Sequence, residues 1–188
     1  MRNAVLAMLV LGALLAGSTW ARDAALSSPA GPVVPSCVNP ALPPELLDGS
    51  VQAPAKPLSV VVATGSGVTL RLAVANDEPT REKGLMCVLK LKPQHGMIFV
   101  FDRASDWEFW MKDTLAPLDM VWVGDDGTIA NVAANVPAST LATSDDAVAR
   151  RRGHGRFVIE LAAGEAQTDG LKPGGRLKLP PLSTASHY

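Results

Sequence analysis

The sequence is poor in the residues that most often build metal sites. Its 188 residues include two cysteines and three histidines, and neither a Cys-x-x-Cys nor a His-x-His spacing occurs. A zinc ribbon, a zinc finger or a metal cluster needs several such ligands at close spacing, so these classes are excluded. We expect no metal and no cofactor.

An excess of one charge and the common catalytic signatures are also lacking. The 17 lysines and arginines nearly balance the 18 aspartates and glutamates, and the formal net charge is -1. Such a chain has no large positive field to attract a polyanion, so nucleic acid is not an expected partner. The sequence contains no nucleophile elbow, phosphate-binding loop, dinucleotide fingerprint or His-Glu-x-x-His helix. The motifs therefore identify no reaction.

Long hydrophobic runs are scarce, and the most pronounced one lies at the N-terminus. Residues 1–3 are a short basic start, residues 4–16 carry no charge, and residues 17–21 are mostly small. This pattern predicts a secretory signal peptide over residues 1–21, because a membrane-spanning helix needs roughly 20 apolar residues. An uncleaved anchor is the alternative. We expect a periplasmic or secreted protein with no stable membrane span after cleavage.

Export changes the interpretation of the two cysteines, Cys37 and Cys87. Oxidising compartments favour disulfides, so a bridge between them is the simplest pairing. In the chain-entropy model, a closed loop of about 50 residues contributes roughly 4 kcal/mol of stability. Two alternatives stay open: the cysteines are unrelated small apolar residues, or Cys87 is a nucleophile paired with His95.

A dense set of prolines separates the N-terminus from the rest of the chain. Proline recurs throughout residues 27–57, which blocks helix interiors and central strands. We interpret residues 22–57 as a linker or an extension along the surface. Alternating apolar residues begin near residue 58, so we predict a domain over residues 58–180 and a flexible tail over 181–188.

Within the predicted domain, short apolar segments follow one another without a regular strand-helix alternation. This pattern predicts a mainly β (α+β) fold, a single compact antiparallel barrel or roll with one or two short helices. A helix is predicted from Asp77, a suitable cap, to Gly84, and residues 150–152 are assigned to a solvated loop. The predicted strands are residues 59–64, 68–76, 97–101, 108–111, 118–123, 128–133, 157–162 and 176–179.

The middle of the chain holds the strongest candidate for a binding site. Six of the eight aromatic residues outside the signal peptide lie between residues 99 and 122. Residues 109–111 are all large and apolar, and alternation cannot bury them together on one face of a half-exposed strand. Either both faces are covered, or Trp110 lines a groove as a stacking surface. Lys112, Asp113 and Thr114 would then offer hydrogen bonds at the strand end.

Two carboxylates within apolar strands also need an explanation. Asp119 lies between Leu118 and Met120, where a carboxylate must find a partner. Arg81 and Lys112 are candidate counter-ions, and a structural role for Asp119, as an ion pair or an acceptor of backbone amides, is favoured over catalysis. Glu160 is expected at a solvated position.

Five blocks of sequence together resemble the domain of unknown function 192 family. They are REKGLM at 81–86, HGMIFVF at 95–101, FWMKDT at 109–114, PLDM at 117–120 and VIELAAG at 158–164. The resemblance extends over residues 58–179 and implies a small β-rich domain, often exported, with no established activity. Asp113 stands where the family usually has Asn, and Gly175 where Asp usually follows a glycine. The extra charge beside Lys112 argues against a role that needs a neutral amide there.

Two functions of different classes follow from these observations. The first is an exported, non-catalytic module that binds a small ligand, a glycan or an envelope protein, with no catalytic residue. The alternative is an envelope hydrolase that uses Asp119 with Lys112 or Arg81; a purely structural role is the third possibility. The predicted ligand-binding residues are Arg81, Trp110, Lys112, Asp113, Thr114 and Asp119.

Overall fold

The computed structural model describes residues 37, 39, 42–47, 58–65 and 67–185. The signal peptide predicted for residues 1–21 and most of the predicted linker lie outside these residues. In the part of the chain that is described, no helix is both long and apolar enough to cross a membrane.

Six strands and two short α-helices follow one another along the described domain. Their bounds are β1 Val60–Gly65, β2 Val68–Ala75, α1 Glu78–Lys83, β3 His95–Trp110, β4 Leu118–Val123, β5 Ile129–Val136, β6 Arg150–Ala162 and α2 Glu165–Thr168.

The six strands form one sheet in the order β1-β2-β3-β6-β4-β5. Neighbouring strands are antiparallel except for β2 and β3, which are parallel. A parallel pair needs a crossover connection, and α1 together with the loop after it provides that connection. The mainly β prediction is confirmed.

The sheet is rolled, but it is not closed by strand pairing. Residues 175–178 lie between the two outer strands, β1 and β5. The amide of Leu177 donates to the carbonyl of Gly127 at 2.8 Å, and the amide of Lys178 donates to the carbonyl of Thr64 at 2.6 Å. The predicted last strand is therefore a short connecting segment, and the fold is an open roll rather than a closed barrel.

Both faces of the central strands are covered. In β4, Met120 and Trp122 belong to one buried cluster, and Val121 and Val123 belong to the other. The first cluster also contains Leu46 from a short 3-10 helix over Pro44–Leu46. This part of the predicted linker is thus an extension that packs into the core. It covers the same face of the sheet as the candidate site described below.

Two assignments within the sheet differ from the sequence prediction. The strands predicted at 97–101 and 108–111 are one strand of 16 residues, β3, with an irregularity between Val100 and Ser105. Residues 150–152 were expected in a loop, but they begin β6 and pair with residues 108–110. Residues 150–152 are three consecutive arginines, so they lack the apolar alternation that indicates a strand.

The first residues of the predicted flexible tail are held against the sheet. The amide of Ala185 donates to the Asn76 carbonyl at 2.9 Å, and the Asn76 side chain donates to the Ser183 carbonyl at 3.1 Å. Arg156 Nη2 donates to the Leu182 carbonyl at 3.1 Å. Leu182, Ser183 and Ala185 therefore hydrogen-bond to the domain.

Candidate functional site

The site lies between helix α1 and strand β3. Asp77 caps the helix, because its Oδ1 accepts a hydrogen bond from the Thr80 amide at 2.8 Å and a full capping box is present. Gly84 ends the helix with φ of 46°, and a Cβ at this position would lie 3.3 Å from the ring of Phe99. The helix predicted from Asp77 to Gly84 is confirmed, and its close approach to Phe99 forms one wall of the site.

The site has an outer and an inner part that share five lining residues. We call the outer part the aromatic groove; it has a volume of about 340 Å³. We call the inner part the inner pocket; its volume is about 30 Å³. The shared residues are Arg81, Glu82, Phe99, Phe109 and Trp110.

Ring packing fixes the walls of the aromatic groove. Phe101 stacks on Trp107 with 3.8 Å between ring centroids, and Phe109 packs edge-on against Phe99 at 4.8 Å. The Trp107 indole also donates a hydrogen bond to the Gly155 carbonyl at 2.9 Å. Phe99 belongs to the buried core, and the other three rings pack against it. The packing of the protein itself therefore forms the groove.

Glu160 is one of the residues that line the inner pocket. Its side chain is on the same face of β6 as Val158, and its partners across the sheet are Met97 and Met120. The residue is only 4% exposed. Among the described residues no group donates a hydrogen bond to its carboxyl, and burial raises the pKa of Glu160 to about 8. Glu160 is therefore a neutral acid at neutral pH, and the expectation of a solvated position is wrong.

Two of the three basic residues that line the inner pocket, Arg81 and Lys112, bond to other groups. Arg81 Nη1 donates to the Val100 carbonyl at 3.1 Å. Lys112 Nζ donates to Asp145 Oδ1 at 2.5 Å, and this hydrogen bond raises the pKa of Lys112. Both cations line the pocket without pairing with its carboxyl.

Two residues with left-handed backbone adjoin residues that line the inner pocket, and we call these two residues its rim. Cys87 has φ of 68° and Asp113 has φ of 48°, and the Cys87 amide donates to the Asp113 carbonyl at 2.8 Å. Asn and Asp tolerate this conformation better than most residues. Asp113 is therefore a turn residue that places its neighbours Lys112 and Thr114 along the pocket.

The N-terminal extension holds this rim in place. Cys37 and Cys87 form a disulfide with their Cα atoms 5.4 Å apart. Asn39 Nδ2 donates to the carbonyls of Gly84 at 2.8 Å and Met86 at 3.1 Å. The disulfide also rules out Cys87 as a free nucleophile, which was one of the alternatives left by the sequence.

The structure brings together four of the six predicted site residues. Arg81, Trp110, Lys112 and Thr114 line the inner pocket. The backbone of Asp113 shapes the rim, as described above. The remaining residue, Asp119, lies elsewhere.

Asp119 is a structural carboxylate and does not belong to the site. It is fully buried, and it accepts hydrogen bonds from the backbone amides of Asn135 at 2.7 Å and Ala166 at 2.8 Å. Successive side chains of a strand point to opposite faces, so Asp119 faces away from the cluster that contains Met120. The proposed pairing of Asp119 with Arg81 or Lys112 is wrong for this reason.

Glu160 is the residue that the sequence analysis missed. The signal was present, because residues 157–162 are apolar on both faces apart from this glutamate. A strand covered on both faces leaves no solvated side for a charged residue.

Groups of three or more histidine, cysteine, aspartate or glutamate side chains that could hold a metal do not occur in the described part of the chain.

Taken together, these features define a small, rolled β domain with a preformed groove over one face of its sheet. The chain belongs to the DUF192 family (Uncharacterized ACR, COG1430), whose model matches residues 60–179. The family resemblance inferred from the sequence blocks is confirmed.

Two solved structures are similar to this chain. One is a candidate transcription regulator from Sinorhizobium meliloti 1021, 33% identical, with a TM-score of 0.53, covering 70% of this chain and 98% of that chain. The other is a protein of unknown function from Novosphingobium aromaticivorans DSM 12444, 27% identical, with a TM-score of 0.53, covering 73% of this chain and 97% of that chain. No curated protein matches.

Proposed function

We propose that this protein is an exported, non-catalytic module that binds a small ligand in the aromatic groove and the inner pocket. The observation that carries the proposal is the carboxyl of Glu160, which is buried, lines the inner pocket and has no hydrogen-bond partner among the residues that the structure describes. The signal-peptide pattern of residues 1–21 and the disulfide support the exported location.

A buried polar group without a partner normally costs free energy. Most buried polar atoms in proteins have a hydrogen-bond partner, and a carboxyl kept in an apolar site either stays neutral or needs a counter-ion. Strongly shifted carboxyl groups of this kind concentrate at functional sites. A concave apolar surface with a few polar groups is also the usual form of a ligand site. Both considerations favour a bound ligand that completes the environment of Glu160.

The hydrolase alternative loses its central residue. Asp119 was to act with Lys112 or Arg81, but its two oxygens accept hydrogen bonds from the amides of Asn135 and Ala166. A carboxylate held in this way is not available as a base or nucleophile at a cleft. Binding is therefore the better-supported function.

A nucleic-acid partner is not proposed, although one similar structure is described as a candidate transcription regulator. Arg152 pairs with Glu108 at 2.6 Å, and Arg156 pairs with Asp125 at 3.2 Å. Phosphate binding depends on basic groups that are not already neutralised. These paired arginines, together with the net charge of -1, favour a small ligand.

A thermal-shift screen tests the proposal. Purified protein is heated with N-acetylglucosamine, AMP, a short-chain phospholipid, an alkyl diamine and divalent metal ions, each as a separate probe. A probe at about a hundred times its dissociation constant stabilises the folded state by roughly 2.7 kcal/mol, so we expect at least one class to raise the melting temperature by several degrees.

Two matched variants locate the binding. Trp110 and Leu141 are 37% and 38% exposed, but only Trp110 lines the groove. We expect Trp110→Ala to abolish the shift and Leu141→Ala to retain it. Shifts of equal size in both variants, or no shift with any probe, would contradict the assignment of a binding site to this groove.

A further inference from the structure

We propose that the groove selects a primary ammonium group, which is received in the inner pocket by the Glu160 carboxylate while its alkyl chain lies along the aromatic groove. This inference rests on the proposed function and names the chemical class of its ligand. It follows from four features of the site. They are the absence of a counter-ion for Glu160 among the described residues, the aromatic walls of the groove, the glutamates that line it, and the volumes of its two parts.

Among the described residues, no element packed against Glu160 supplies it with a counter-ion. Its neighbours on β3 and β4 are Met97 and Met120. The connection after β3 contributes Lys112, which pairs with Asp145 at 2.5 Å.

Helix α1 brings three charged residues to the pocket, Arg81, Glu82 and Lys83. Arg81 donates to the Val100 carbonyl, and Lys83 Nζ lies 3.9 Å from Cys87 Sγ. Burial is the cause of the raised Glu160 pKa, and no cation lowers it. The place of a counter-ion at this carboxyl is therefore open to a ligand.

The aromatic rings of the site already contact cations. The guanidinium carbon of Arg81 lies 5.3 Å from the ring centroid of Phe101, and that of Arg150 lies 5.2 Å from the ring centroid of Trp110. Both distances are within the range of cation–π interactions. An ammonium ligand in the groove would meet the same kind of ring surface at Phe99 and Trp110.

Three glutamates line the aromatic groove. Glu78 and Glu82 from α1 and Glu108 from β3 all line it, and all three are exposed. Glu108 pairs with Arg152, whereas the two glutamates of the helix add negative charge at the entrance. These three carboxylates outnumber Arg81, the basic residue that lines the same groove, so the arrangement favours a cationic ligand over an anionic one and accommodates a second positive charge on a ligand such as a diamine.

The dimensions suit a linear amine. The inner pocket, with about 30 Å³, has room for a group of the size of an ammonium ion and not for a ring. The aromatic groove, with about 340 Å³, has room for a short alkyl chain. A free diamine and the side chain of a lysine residue share this chemistry, and the experiment below separates them.

Binding changes the protonation of the site. At pH 7 the free protein holds Glu160 as a neutral acid, and the ligand arrives as an ammonium ion. The complex contains a carboxylate and an ammonium ion, so the proton of Glu160 passes to the buffer. Affinity should therefore increase about tenfold per pH unit on approaching pH 8 from below, and level off above it.

Isothermal titration calorimetry tests the inference with ligands of similar length and different charge. The probes are cadaverine, Nα-acetyl-lysine amide, 1-pentanol and pentanoate, each measured at pH 6, 7 and 8 in two buffers with different ionisation enthalpies. We expect an amine to bind at least tenfold more tightly than the alcohol or the acid, with release of about one proton at pH 7. Binding of cadaverine alone identifies a free amine as the ligand, and binding of the lysine derivative identifies a peptide side chain.

Two substitutions complete the test. Glu160→Gln keeps the shape and the neutral charge of the protonated acid, and we expect it to weaken amine binding at least tenfold and to abolish proton release. Asp125→Asn, a matched carboxylate-to-amide change in the turn between β4 and β5, should bind as the unsubstituted protein does. Proton release is measured on the unsubstituted protein, so the test does not depend on the folding of a variant.

Three results would overturn the inference. They are equal affinity for pentanoate or pentanol and for the amines, amine binding without proton release, and amine binding that Glu160→Gln leaves unchanged. If no amine binds while another probe still requires Trp110, the amine specificity is wrong and the proposed binding function stands. If no probe of any class requires Trp110, both are wrong.

Discussion

Glu160 shows how one residue can be costly for stability and useful for binding. Its carboxyl lies among apolar neighbours and has no hydrogen-bond partner in the described part of the chain. The site stays neutral only because the proton remains on the acid. An ionised Glu160 would need a charge partner or would cost several kcal/mol.

The stability of the protein should therefore fall as pH rises. In the unfolded chain Glu160 loses its proton near its usual pKa of about 4.5, whereas in the folded protein the pKa is about 8. Between these values the folded state holds one more proton than the unfolded state, so this residue lowers the free energy of unfolding by about 1.4 kcal/mol per pH unit. The effect levels off above about pH 8.

Guanidinium unfolding at pH 5, 6.5 and 8 measures this effect against Glu160→Gln. The variant cannot ionise, so its free energy of unfolding relative to the unsubstituted protein should increase with pH by several kcal/mol over this range. Asp125→Asn serves as the control and should run parallel to the unsubstituted protein. Parallel curves for all three proteins would show that Glu160 titrates normally.

At the scale of the elements, the antiparallel pairing of β3 and β6 determines where the groove lies. Beyond the irregularity after Val100, both strands continue as an exposed arm that presents Trp107, Phe109 and Trp110 to the helix. Gly153 allows the backbone of the arm to pack directly against Trp122, because a Cβ at this position would lie 2.4 Å from the indole ring. The indole lies fully buried beneath this glycine.

Gly153→Ala should destabilise the protein by about 1–3 kcal/mol, the usual cost of an extra methyl group in a packed core. Gly124→Ala is a matched control, because its added Cβ would lie no closer than 3.4 Å to another atom. The midpoint of urea unfolding measures both changes. If Gly153→Ala and Gly124→Ala had the same midpoint, the close contact with Trp122 would be wrong.

The sequence predicted the elements whose apolar pattern reports burial. The strand predicted at 118–123 has the bounds found in the structure, and the helix between Asp77 and Gly84 follows from its caps. The strand at residues 150–152 was missed because these residues are three consecutive arginines, which show no apolar alternation. Local pattern carries no information about such pairing, which depends on the partner strand.

The site was predicted in part for a similar reason. Trp110, Lys112 and Thr114 are close in sequence, so their shared location needed only local reasoning. Glu160 reaches the same pocket from a strand that pairs with β3 across a long sequence separation. The apolar pattern of residues 157–162 indicates a strand buried on both faces, but the pocket that Glu160 enters depends on the sheet order and on the position of α1, which that pattern does not contain.

At the scale of the whole molecule, the N-terminal extension ties distant parts of the chain to the rim of the site. Asn39 and the disulfide both hold residues 84–87, and Leu46 packs in the core beneath. The extension thus stabilises the fold and the pocket together. Loss of the disulfide should affect both.

Replacing both cysteines by alanine should lower the free energy of unfolding by about 2–4 kcal/mol, because the bridge joins residues 50 positions apart and restricts the unfolded chain. Guanidinium unfolding with and without dithiothreitol checks this value. Reduction of the unsubstituted protein should reproduce most of the loss and leave the variant unchanged. A free energy of unfolding that dithiothreitol does not alter in the unsubstituted protein would contradict the stabilising role of the bridge.

Residues 175–178 bridge β1 and β5, although they lie far from β1 in the sequence. Until they dock, β1 has an unpaired edge, and such an edge readily pairs with another chain. Contacts between residues far apart in the sequence also form slowly. Refolding at high protein concentration therefore favours aggregation until this segment docks on the edge.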